Sequence, residues 1–210
     1  MRSRCLILVM LIAVAGLVCA LTPASAQTGK NTVQELVTLF SAWSNKGKNA
    51  DICDAAAKHI DYAGMAELSL TRSQWDKLSR DQKKELAASF RNLVEQRYYP
   101  RWHKTFLKGK LSFASEASTA GDTYVKTFLS TSKDDDTVIW RLHPSGNELV
   151  VLSLNVNGKD LLGRLSTRFQ HQMEKHGFEG LLSWLKDKSD DEESDESSAA
   201  DKRSTAARSR

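Results

Sequence analysis

Apolar residues keep four different spacings along the chain. Residues 5–21 are apolar without a break; from 32 to 106 apolar positions recur every three or four residues; from 110 to 156 they alternate or cluster in short runs; and from 161 to 185 the wider spacing returns. A helix brings every third or fourth residue to one face and a strand every second, so these stretches predict helices, then strands, then helices.

The first helix is predicted over residues 32–43, where Val33, Leu36, Val37, Phe40 and Trp43 share a face and Asn31-Thr32 offers a cap. Lys46-Gly47-Lys48-Asn49 breaks it, and residues 51–59 form a short second helix. Asp61 precedes Tyr62, Met65 and Leu68 on one face of a third. Ser79 and Gln82 make a capping box ahead of a long stripe through Leu86, Phe90, Leu93, Val94 and Tyr98. Pro100 ends or kinks that helix, with Trp102 and Phe106 beyond it. Strands are expected over residues 110–118, 123–131, 137–143 and 148–156, joined by Ala120-Gly121-Asp122, by residues 133–136 and by residues 144–147. Connections this short join only antiparallel neighbours, so the strands form a four-stranded meander. Leu161, Leu162, Leu165 and Phe169 then begin a helical return, punctuated by Gly177. Helices before and after a sheet, rather than between its strands, indicate the α+β class.

The apolar run at 5–21 follows Arg2 and Arg4 and precedes Ala24-Ser25-Ala26. A charged start, an apolar middle and small residues at the end make a secretory signal, cleaved after Ala26, and the run is shorter than the ~20 residues a membrane span needs. Three domains of sequence follow: a signal peptide at 1–26, a body at 27–188 and a charged, disordered tail at 189–210 in which Ser, Asp and Glu dominate. The processed chain is expected in the periplasm. Cys5 and Cys19 leave with the signal, so Cys53 has no intrachain partner and the body stands without a disulfide. The whole chain has 30 basic and 26 acidic residues, a net charge of +4, which falls once Arg2 and Arg4 are removed. So weak an excess gives no basis for nucleic-acid binding.

Motifs for catalysis are absent: there is no His-Glu-x-x-His helix, nucleophile elbow, Cys-x-x-Cys pair or phosphate-cradling glycine loop. No metal or cofactor is expected, and the chain reads as a binding protein rather than an enzyme. Cys53 and His59 could in principle form a nucleophile and base, the basis for a rival hydrolase reading. Aromatic residues spread over helices and strands could line one shared interior. Two basic stripes, Arg97, Arg101, Lys104 and Lys108, then Arg164, Arg168 and Lys175, repeat at helical intervals. They are either solvated helix faces or a collar of cations for phosphate groups.

Residues 60–185 resemble the MlaC family of periplasmic phospholipid-binding proteins, also called the toluene-tolerance auxiliary family. The resemblance lies in Asp61-Tyr62-Ala63-Gly64-Met65 with Trp75 beyond, in Leu78-Ser79-Arg80-Asp81-Gln82 leading to Phe90 and Leu93, in Val138-Ile139-Trp140-Arg141-Leu142, in Asn157-Gly158-Lys159-Asp160-Leu161 before Arg168-Phe169-Gln170, and in Gly177-Phe178-Glu179-Gly180-Leu181-Leu182. The final strand lacks the tryptophan and aspartate usual in the family. The resemblance implies a curved four-stranded antiparallel sheet covered by N-terminal helices and return helices, enclosing an apolar cavity. It further implies a monomeric carrier that moves phospholipid between an outer-membrane lipoprotein complex and an inner-membrane ABC transporter, with a hopanoid-associated lipid role as the alternative. Expected lining residues are Tyr62, Met65, Leu68, Trp75, Phe90, Leu93, Phe113, Phe128, Trp140, Leu161 and Leu165, with Arg97, Arg101 and Arg164 near the headgroup.

Overall fold

The computed structural model describes residues 28–44, 49–132 and 134–190. The signal expected at 1–26 and almost all of the tail expected from 189 lie outside them. In chain order the elements are α1 (Gly29–Ala42), α2 (Ala50–Ala57), α3 (Tyr62–Leu68), α4 (Arg72–Asp76), α5 (Arg80–Leu93), a π turn (Val94–Tyr98), α6 (Tyr99–Lys108), β1 (Lys110–Thr119), β2 (Asp122–Ser130), β3 (Asp135–Ser145), β4 (Glu148–Val156), β5 (Lys159–Asp160) and α7 (Leu161–Asp190). The class is α+β, as the spacing predicts.

The sheet is an open antiparallel meander in the order β1-β2-β3-β4-β5. Four of its strands are the expected ones. The fifth, two residues long, follows from the turn at Asn157 and Gly158, whose φ angles of 51° and 80° give the tight hairpin twist that folds Lys159 and Asp160 back onto Val156 and Asn155. Irregular pairing between Phe113 and Ser115, and again between Arg141 and Leu142, interrupts two of the ladders. On the inner face of β2 lie the buried Thr123, Val125, Thr127 and Leu129, opposite Leu142, Trp140, Val138 and Asp136 of β3. Helices pack on this face. β4 is buried on both sides from Val150 to Leu154, because Ile60 bridges Val151 and α3 closes on Leu152.

α1 starts three residues earlier than the sequence pattern indicates. Thr28 caps it, and its first amides, Gly29 and Lys30, donate to the two oxygens of Glu116 on β1, each at 3.0 Å. A carboxylate at a helix N-terminus meets the unpaired amides and the positive end of the helix dipole, so this contact ties α1 to the sheet. The Thr32 hydroxyl donates to the Leu149 carbonyl at 3.0 Å and fixes the other side of the same turn. The capping box at Ser79 and Gln82 forms as expected, and a second one, Thr71 with Gln74, starts the short helix α4 that carries Trp75.

The chain stays helical on both sides of Pro100, with a change of helix type just before it. The five-residue π turn lies just before it, and Pro100 stands in the first turn of α6, where its missing amide is not needed. Widening the preceding turn removes the clash between the proline ring and the carbonyl four residues back. α7 is broken at Gly177, with φ 68° and ψ −168°, a conformation open essentially to glycine alone. Its last turn reaches Asp190, two residues beyond the expected end of the body.

Candidate functional site

Helices and sheet share one apolar interior. Tyr62 and Met65 of α3, Phe90 and Leu93 of α5 and Trp140 of β3 belong to its buried cluster, and Trp75, Phe113, Leu161 and Leu165 pack against it while partly exposed. Nine of the expected lining residues therefore meet in a single body of contacts. Two do not. Phe128 has the parity of Tyr124 and Lys126 and stands on the opposite face of the sheet, 42% exposed, with the Lys126 ammonium 5.2 Å from its ring centre. Leu68, the last residue of α3, is 43% exposed.

Aromatic rings join the layers. Phe106 of α6 stacks on Trp140 at 6.1 Å between ring centres, and Phe40 of α1 contacts Tyr99, Trp102 and Phe106 at 4.8, 4.9 and 6.2 Å. On the α5 side Phe90 lies 5.4 Å from Phe169 of α7. Phe40, Tyr99 and Phe169 belong to this interior although their spacing alone identifies them only as core.

Polar atoms inside it are paired. The Trp140 indole donates to the Thr127 hydroxyl at 3.0 Å, and that hydroxyl donates to the Val138 carbonyl at 3.2 Å. The hydroxyls of Tyr62 and Tyr99 are 2.6 Å apart. Burial pushes the pKa of both phenols up, so neither ionises in any physiological range. The side chains of this cluster are thus neutral, a lining suited to hydrocarbon.

The expected headgroup cations have different surroundings. Arg97, in the π turn, is buried and donates to the Lys188 carbonyl at 3.3 Å, joining the turn to the end of α7. Arg101 is half-buried on α6, and Arg164 is exposed on the first part of α7. Arg91, which the sequence does not single out, clamps three elements by pairing with Asp54 of α2 at 2.8 Å and Glu95 of the π turn at 2.5 Å.

Cys53 and His59 have separate environments. Burial first, and then the charge of Glu95, pushes the Cys53 thiol up to about 11, leaving it protonated and weakly nucleophilic at neutral pH. His59 Nε2 lies 3.3 Å from Glu35 Oε2, beside a cleft of about 540 Å³ between Asn31, Gln34 and Thr38 of α1 and Ala55 and Lys58 of the α2 region. A smaller cleft lies between the two arms of α7. Neither is bordered by the expected lining residues. Among the described residues no three His, Cys, Asp or Glu side chains come together as a metal site, and no helix is long and apolar enough to cross a membrane.

The fold has a solved counterpart in a phospholipid-binding protein from Ralstonia solanacearum, determined in complex with a phospholipid. The two chains are 18% identical and superpose with a TM-score of 0.67, over 79% of this chain and 97% of that one. No curated protein matches the sequence. The family model described as MlaC protein matches residues 30–187. Covering all but the edges of the described body, that match shows that the chain belongs to the MlaC family.

Proposed function

We propose that this protein is a periplasmic phospholipid carrier that takes lipid between an outer-membrane lipoprotein complex and an inner-membrane ABC transporter. One observation carries the reading: a single apolar cluster, shared by α1, α3, α5, α6, α7 and the inner sheet face, in a member of the MlaC family whose solved counterpart binds a phospholipid. The physical need is large. A two-chain lipid exposes on the order of 30 methylenes, each worth ~0.8 kcal/mol, so bare desorption into water costs roughly 20 kcal/mol. A carrier offsets that cost by surrounding the tails with side chains while the headgroup stays wet, and no covalent step is required.

Phe106 of α6 stacks beside Trp140 of the sheet, and in this reading tails enter by parting α6 from the sheet there. The hydrophobic part of such contacts is non-directional and re-forms around hydrocarbon. Phospholipid brominated in its acyl chains, supplied in vesicles, should therefore quench the tryptophan emission, and Trp140→Phe should remove a large share of that quenching. Full quenching retained in Trp140→Phe would place the tails elsewhere.

A further inference from the structure

Leu107, in the last turn of α6, is 62% exposed, the most open large apolar side chain among the described residues. At about 100° per residue, Lys104, Leu107 and Lys108 share one exposed arc of the helix, and Phe106 points the other way, onto Trp140. Gly109 then ends α6 hard against β2: a Cβ at Gly109 would stand 2.6 Å from Leu129 Cδ1. Next to Leu129, on the outer face of the sheet, is Phe128, the exposed ring that carries the Lys126 ammonium at 5.2 Å. The β1–β2 register adds Lys110 to that face, since Lys110 pairs with Ser130 and Ser112 with Phe128. One corner of the molecule therefore joins two exposed apolar side chains, Leu107 and Phe128, to Lys104, Lys108, Lys110 and Lys126. Carboxylates reach it from the β2–β3 connection: Asp135 pairs with Ser130 next to Asp134, while Asp136 has the parity of the inner face and accepts from the Asn157 amide. Counting Asp134 and Asp135, lysines outnumber carboxylates four to two among the described residues of this corner.

We propose that this corner docks on the surface of an anionic bilayer. Leucine and phenylalanine enter the boundary between headgroups and acyl chains, and lysine stems lie along it with their ammonium groups among the phosphates. The lysines draw the protein to a negative surface, and the two apolar side chains hold it there. Protein interfaces favour tryptophan, tyrosine and arginine in packed pockets and are poor in lysine, so an apolar pair set among lysines fits a lipid surface instead. The last turn of α6 thus holds the interior on one side, through Phe106, and offers an anchor on the other, through Leu107. This surface lies outside the apolar interior and does not depend on the carrier reading.

The test is flotation of the purified protein with vesicles, either phosphatidylglycerol and phosphatidylcholine in equal parts or phosphatidylcholine alone. Binding to the anionic vesicles is expected to be at least tenfold tighter than to the neutral ones, and to weaken at ~1 M salt, where charges act over only about 3 Å. It should fall at least tenfold in Leu107→Ser/Phe128→Ser and, independently, in Lys104→Gln/Lys108→Gln/Lys110→Gln. Leu68→Ser, which removes an exposed leucine at the end of α3, should bind as the parent does. All the substituted side chains are exposed, so far-ultraviolet dichroism and the urea midpoint should stay unchanged. No binding to anionic vesicles, binding that survives both corner variants, or an equal loss in Leu68→Ser would overturn the proposal. Lipid cargo is read separately by native mass spectrometry of the same variants. Lost vesicle binding with cargo retained supports the docking surface and leaves the carrier reading intact, whereas a bare chain that still floats with anionic vesicles contradicts the carrier reading alone.

Discussion

Trp140 carries a polar atom into the most apolar part of the molecule, and its Thr127 partner is 0% exposed. Thr127→Val keeps shape and apolar volume but strands the indole N–H, so it should lower stability by about 1–3 kcal/mol in urea unfolding; an unchanged midpoint would show that the bond contributes nothing. Cys53 offers a pH test. With its thiol raised from 9.0 to about 11, its thiolate population at pH 8 is roughly a hundredfold below that of an ordinary cysteine. Alkylation of the folded protein should be slow at pH 8 and accelerate up to about pH 11, whereas the urea-unfolded chain reacts at the ordinary rate. A plateau near neutrality would revive the nucleophile reading. At this scale the sequence was legible where burial alone matters, as for Phe90 and Leu93. Phe128 was misplaced because strand parity decides its face, and the cue lay two residues before it: Lys126 has the same parity and sets its ammonium over the Phe128 ring. Thr127 could not be recognised before the β2–β3 register put it beside Trp140.

Elements were easier to locate than their ends. Strong caps and short polar turns set most boundaries, which is why the four main strands and the Ser79 start of α5 were readable. The π turn was not, because its cause is a clash at Pro100 that a widened turn relieves, and hydrophobic spacing carries no trace of that choice. Gly177, by contrast, was visible as punctuation, and its geometry turns the reading into a prediction. A Cβ there meets no atom within 4 Å, so Gly177→Ala tests backbone strain alone. It should cost about 1–3 kcal/mol, seen as a lower urea midpoint, and splay the arms of α7. A neutral substitution would mean that the hairpin does not depend on the left-handed residue.

At the scale of the whole molecule, sheet order followed from turn length, and layer arrangement from the grouping of helices on either side of the strands. How tightly the interior closes depends on rotamers and contacts spread over six elements, beyond the reach of spacing in one chain. Phe106 on Trp140 and Phe90 near Phe169 show the helices and sheet meeting through large, deformable, uncharged surfaces. The proposed function therefore requires that this interior take in the tails of a phospholipid. Native mass spectrometry of the protein, purified without detergent, tests it most directly: the spectrum should show the chain plus the mass of one bound phospholipid, while a bare chain that also fails to take lipid from vesicles would contradict it.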